Sequence, residues 1–190
     1  GGGTSNLAWI VDGKIVKTGG MNVGGRLLKF DGGRVSYVSP VLRGITEIKV
    51  GDTPELAHIQ SVAQTLTQAL EMAAGLRPPT ALLEKLTTAE TDPLPLTPAE
   101  PGMVLSFSGG VADCIDHAYP HFAFGDLGPI LGQAIRRSRL CRGDHMQGSH
   151  TIRATVIGAG CHSAQLSGST VFLQNVQLPL QNLPVAVISA

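Results

Sequence analysis

Apolar and polar residues alternate through the first fifty positions, and glycine-rich turns interrupt the alternation. Successive strand side chains point to opposite faces, so Leu7, Trp9 and Val11 share one face of a strand predicted over Thr4–Val11. Asp12-Gly13 supplies two residues that tolerate positive φ, as a tight hairpin turn requires. Lys14–Thr18 is predicted as the returning strand, Arg26–Phe30 as a third and Arg34–Val38 as a fourth, with Asp31-Gly32-Gly33 turning between the last two. The pattern describes a small antiparallel meander.

The period then changes. Leu56, Ile59, Val62, Ala63, Leu66, Ala69, Leu70 and Ala73 recur at helical spacing. Asp52 or Thr53 is the expected cap, with Pro54 and Glu55 suited to a first turn, and Gly75 followed by Pro78-Pro79 is the expected stop. A shorter helix is predicted over Ala81–Leu86. Residues 90–101 carry Pro93, Pro95, Pro98 and Pro101 and read as a linker, so 50–101 is a helical insertion and linker.

Met103–Phe107 begins a third section as a short buried-type strand running into Ser108-Gly109-Gly110-Val111 and a helix. A further helix is predicted from Leu127 to Arg137, with Leu127, Ile130, Leu131, Ala134 and Ile135 facing inward. Ile152–Ile157 reads as a strand leaving through Gly158-Ala159-Gly160, followed by a helix over Cys161–Leu166 and a strand over Thr170–Leu173. The strands at Thr4–Val11, Lys14–Thr18, Met103–Phe107 and Ile152–Ile157 are expected to share one mixed sheet. The fold class is therefore α/β.

Three glycine turns carry the candidate chemistry. Consecutive glycines at Gly1-Gly2-Gly3-Thr4 allow backbone N–H groups close to a phosphate, with the threonine hydroxyl as a further donor. Ser108-Gly109-Gly110-Val111 lies at a strand-to-helix turn, where small residues leave room for a flat ligand and a helix start favours anions. Gly158-Ala159-Gly160 stands at another such turn. A glycine pair after a strand is ordinarily a turn that needs positive φ, so the order of all three weighs more than any one. No GxxxxGK[ST] loop and no GxGxxG after a strand occurs, which excludes the Walker and dinucleotide patterns.

That order resembles the second lobe of the actin, sugar-kinase and heat-shock-chaperone superfamily. Gly1-Gly2-Gly3-Thr4 is similar to the end of the Asp-x-Gly-Gly-Gly-Thr phosphate loop, and Asn22-Val23-Gly24-Gly25 resembles the next glycine pair. Ser108-Gly109-Gly110-Val111 resembles the adenosine loop, and Gly158-Ala159-Gly160 the hinge-side connecting motif. The longer segments MNVGGRLL, LSFSGGVADCIDH, FGDLGPILGQAI, IRATVIGAGCHSAQLSGSTVFL and VQLPLQNLPVAV resemble the large subunit of the ethanolamine ammonia-lyase reactivating-factor family. The likeness runs from Gly1 to near Ala190 and is weakest over 76–102.

The resemblance implies a ribonuclease-H-like, actin-like ATPase C-terminal lobe over 1–190, part of a longer protein, with a largely helical insertion. It implies phosphate contacts at Gly1, Gly2, Gly3, Thr4, Gly24 and Gly25, adenosine contacts at Ser108, Gly109, Gly110 and Val111, and a connecting role for Gly158, Ala159 and Gly160. It also implies ATP and Mg²⁺ as cofactors of the full-length protein, and ethanolamine ammonia-lyase as partner, with self-association a further expectation. The implied activity is exchange of damaged cobalamin for adenosylcobalamin on that lyase. The implied location is the bacterial cytoplasm, in association with an ethanolamine-utilization microcompartment. The first phosphate loop and the aspartate before Gly1 are absent, so no catalytic residue is assigned and this chain alone is not expected to turn over ATP. A sugar or acid kinase lobe of the same superfamily and a non-catalytic interaction lobe are the alternatives.

Composition narrows the classes further. The 14 Lys+Arg balance 14 Asp+Glu, which leaves no basic footprint for nucleic acid or an anionic membrane. No apolar run approaches the roughly 20 residues of a membrane span, and the first residues show neither the basic flank nor the apolar region of a leader. Cys114, Cys141 and Cys161 form no CxxC pair and suit a reducing compartment. Asp113, Cys114, His117 and His121 are clustered, but Pro120 breaks the helix that would align the histidines, so no metal site is assigned. Arg136, Arg137, Arg139 and Arg142 read as a solvated helix end, and Trp9 as a sheet-face residue.

Overall fold

The computed structural model describes residues 2–89, 91–96 and 103–148. Gly1, the strands expected at 152–157 and 170–173, the helix expected at 161–166 and the Gly158-Ala159-Gly160 turn lie outside the described residues.

Strands β1 (Ser5–Val11) and β2 (Lys14–Met21) pair antiparallel. Their turn has Asp12 at φ 50° and Gly13 at φ 75°, which matches the right-handed twist of a hairpin. β2 runs three residues past the predicted end, to Met21, because Gly19 and Gly20 let a second segment lie against it. Thr88 N–H donates to Gly20 O at 2.9 Å, and Thr18 N–H donates to Asp92 Oδ2 at 2.8 Å. A Cβ on Gly19 would stand 3.0 Å from Leu94. The described part of the expected linker is therefore docked, with Leu96 buried.

β3 (Leu28–Asp31) and β4 (Arg34–Val38) form a second antiparallel pair, turned at Gly32 and Gly33, both at positive φ. β5 (Leu105–Phe107) pairs in parallel with β6 (His145–Gln147), a strand that the apolar pattern did not announce. Among the described residues there are three two-stranded sheets, so β1, β2 and β5 do not share the single sheet expected of them.

Helix α1 (Leu56–Ala73) buries Ile59, Val62, Ala63, Leu66, Ala69 and Ala73, the face that the helical period marked. Its N-cap is Glu55 with no side-chain cap bond, which corrects the expected cap at Asp52 or Thr53. Asp52 is engaged elsewhere: its N–H and its Oδ2 both bond Lys49 backbone groups in the preceding loop. The C-terminus is a Schellman motif. Gly75 at φ 73° donates to Met72 O at 3.0 Å, and Leu76 N–H reaches back to Glu71 O at 2.8 Å. α2 (Ala81–Leu86) is capped by Thr80 Oγ1, which accepts from Leu82 N–H at 3.3 Å.

α3 (Gly110–Asp116) and α4 (Gly128–Arg136) pack on each other, and α4 also packs on α1. Gly132 permits the α3–α4 approach, since a Cβ there would lie 2.6 Å from the Cys114 carbonyl carbon. Met21, Leu28, Leu42, Ile59, Leu66, Leu86, Leu127 and Leu131 are fully buried at the centre of one core. Ile10, Val11, Ile15 and Val16 stay exposed on the β1–β2 hairpin.

Candidate functional site

The Gly2–Thr4 turn and the Asn22–Gly25 segment are neighbours. Arg26 N–H donates to Gly2 O at 2.6 Å, and Ser5 Oγ donates to Val23 O at 2.8 Å. Gly3 and Thr4 are exposed, and a Cβ on Gly3 would meet nothing within 4 Å. Gly3 and Thr4 are therefore open to solvent.

Gly24 and Gly25 behave differently. Both are buried, and a Cβ on Gly25 would stand 3.0 Å from Gly128 Cα. Gly25 O accepts from Leu127 N–H at 2.9 Å. Its small size is thus explained by the close approach of a 3₁₀ turn (Gly25–Leu27) to the start of α4. Asp126 completes that junction, with Oδ1 accepting from Gly128 N–H at 2.8 Å. The Asp-x-Gly spacing in FGDLGP was the available signal for this Asx-type turn.

Ser108-Gly109-Gly110-Val111 forms the turn from β5 into α3. Gly109 has φ 94°, a conformation that L side chains rarely adopt. Gly110 is exposed, its φ lies outside that region, and a Cβ there would meet nothing within 4 Å. Ser108 is exposed and Val111 is partly buried against the core. Gly148 N–H donates to Phe107 O at 2.8 Å and places the end of β6 beside the turn. No hydrogen bond among the described residues joins this turn to Gly2–Thr4 or Gly24–Gly25.

The Asp113–His121 stretch carries no metal geometry. Tyr119 Oη donates to Asp113 Oδ2 at 2.6 Å, which pushes the phenol above its ordinary value. His117 Nδ1 lies 3.5 Å from Asp113 Oδ1. Among the described residues, no group of three or more His, Cys, Asp or Glu side chains is placed to hold a metal. Burial, with the Asp113 and Asp126 charges behind it, pushes the Cys114 thiol up to about 11. Among the described residues, no helix is long and apolar enough to cross a membrane.

The whole chain, residues 1–190, matches the family described as ethanolamine utilisation protein EutA. The chain belongs to this family. It is 40% identical over 196 residues to the ethanolamine ammonia-lyase reactivase EutA of Salmonella typhimurium, covering 98% of this chain and 41% of that protein. It is 41% identical over 197 residues to the protein of the same name from Escherichia coli K12, again with 98% and 41% coverage. The chain therefore spans about two-fifths of the length of these EutA relatives. No solved structure matches it.

Proposed function

We propose that this chain is the nucleotide-binding lobe of an EutA-type reactivating factor. In this reading ATP with Mg²⁺ drives the exchange of damaged cobalamin for adenosylcobalamin on ethanolamine ammonia-lyase in the bacterial cytoplasm. The observation that carries the reactivating role is the family match across residues 1–190, with two curated reactivases about 40% identical. The nucleotide role is supported by the geometry at Gly109 and Gly110. One glycine is required by its positive φ, while the other is not required by the chain's own packing.

Ser108–Val111 would then pack against adenosine, and Gly2, Gly3 and Thr4 would meet phosphate through backbone N–H groups and a hydroxyl. Gly24 and Gly25 would position that loop through the Gly2–Arg26 bond and not by touching phosphate. ATP would supply the free energy of a phosphoryl transfer. A kinase lobe would require a catalytic aspartate beside a sugar pocket, and no such motif occurs in the sequence.

The deciding experiment places Gly110→Val in the full-length protein. Nucleotide binding by calorimetry and reactivation of the lyase should both be lost, while circular dichroism stays unchanged. Unchanged nucleotide affinity in the folded variant removes the adenosine-loop assignment and leaves an interaction lobe that needs these glycines for the turn alone.

A further inference from the structure

We propose that the groove between α1 and α4 binds a small polar ligand through an oxyanion, a carboxylate or phosphate. The groove encloses about 390 Å³ and none of the glycine turns lines it. That volume lies within the range of small-molecule sites. Gln60, Gln64 and Gln68 recur every fourth residue on α1 and so stack along one side of the groove. Gln133 and Arg137 of α4 line it as well, as does Arg77 beyond the end of α1.

The charge balance sets the ligand class. Arg77 and Arg137 line the groove, and Glu71 is the single carboxylate among its lining residues. Glu71 is 3% exposed, and both its oxygens are engaged. Oε2 accepts from Arg77 Nε at 2.8 Å, and Oε1 accepts from the Arg139 N–H at 2.9 Å. Its charge therefore neutralises and orients Arg77. The two terminal nitrogens of Arg77 are not used by that bond. Among the described residues no carboxylate lies within ion-pair distance of Arg137. The lining thus carries a surplus positive charge, and a guanidinium fork matches the geometry of a carboxylate or phosphate.

The carboxamides set the rest. Gln133 Nε2 donates to Cys114 O at 2.9 Å, so its Oε1 is left as an oriented acceptor. The three α1 glutamines offer both donors and acceptors. A ligand that pairs an oxyanion with amide or hydroxyl groups satisfies this set, and an apolar ligand does not.

The test titrates the full chain with inorganic phosphate and with N-acetylglutamine at low ionic strength, followed by amide NMR shifts. At least one probe should saturate, with shifts at α1 and α4, and the tighter probe identifies the oxyanion. Arg137→Gln, at an exposed position, should weaken that binding by about tenfold. Gln64→Ala should weaken it a few-fold, with thermal midpoints unchanged in both. Gly110→Val should leave it intact, which separates this site from the nucleotide reading. The proposal is overturned if neither probe saturates, if Arg137→Gln binds as the parent does, or if the shifts fall on the glycine turns with none at α1 and α4.

Discussion

Glu71 Oε1 accepts the backbone N–H of Arg139 at 2.9 Å, tying the last turn of α1 to a 3₁₀ turn (Arg139–Cys141) after α4. Its other oxygen holds Arg77 at 2.8 Å, and Arg139 Nη1 donates to Leu76 O at 3.0 Å. The buried carboxylate is therefore a joint between two helices. Glu71→Ala leaves an N–H and a part-buried guanidinium without an acceptor, at a cost of about 2–4 kcal/mol. Glu71→Gln keeps an acceptor oxygen and should lose less. Urea denaturation of both variants checks this order, and an alanine variant as stable as the parent removes the joint.

Gly132 faces Cys114 across the α3–α4 contact. A Cβ there would lie 2.6 Å from the Cys114 carbonyl carbon and 2.7 Å from its oxygen. Both are backbone atoms, so no side chain can swing aside. Gly132→Ala should force the helices apart and destabilise the fold by roughly 3 kcal/mol. The intrinsic helix preference for alanine, worth about 1 kcal/mol, runs the other way. Its failure to offset the clash is what a denaturation midpoint would report.

Much of this was legible in the sequence. Both hairpins, α1, α2 and α4 follow apolar periods that their own side chains enforce. Arg34–Val38 and Ala81–Leu86 fall where they were expected. Other features were not local. β6 spans three residues, too few for a period to show, and it exists through its pairing with β5. The docking of Thr88, Thr91 and Leu94 on β2 depends on Gly19 and Gly20, about seventy residues away, which read locally as strand weakeners. At the candidate site the glycines were visible but their reasons were not. Gly109 needs its positive φ, Gly25 needs space beside Gly128, and Gly110 needs neither. The groove glutamines escaped notice because glutamines on the polar face of a helix look like solvated surface, and Arg137 reads only as part of a solvated helix end.

The two glycines of the β5–α3 turn should separate in a stability assay. Gly109→Ala places a Cβ at φ 94°, a strain of about 1–2 kcal/mol. Gly110→Ala meets nothing within 4 Å and opens a helix, so stability should hold or rise by a few tenths of a kcal/mol. Thermal melts of both variants decide this. Equal destabilisation would mean that Gly110 is also structural, and that its substitution cannot report on a ligand alone.

The Cys114 thiol gives the fold a pH dependence with a definite sign. Burial disfavours the thiolate, and Asp113 and Asp126 add to that, so its pKa rises from 9.0 to about 11. The native state thus keeps a proton that the unfolded chain releases. This contribution to stability is fully present below pH 9 and is lost as pH rises through about 11. Tyr119 acts in the same direction above pH 10, because its hydroxyl donates to Asp113. The two are separated by measuring Cys114→Ala within a Tyr119→Phe background. Stability from urea unfolding should fall between pH 9 and 11 in Tyr119→Phe alone, and more shallowly once Cys114 is also replaced. The same shift predicts reactivity, since the thiolate is the nucleophile. At pH 8 the native Cys114 should alkylate with iodoacetamide roughly a hundredfold more slowly than in the urea-unfolded chain, as read by peptide mass spectrometry. Equal rates in the two states would show that Asp113, Asp126 and the α3–α4 contact do not shield this thiol.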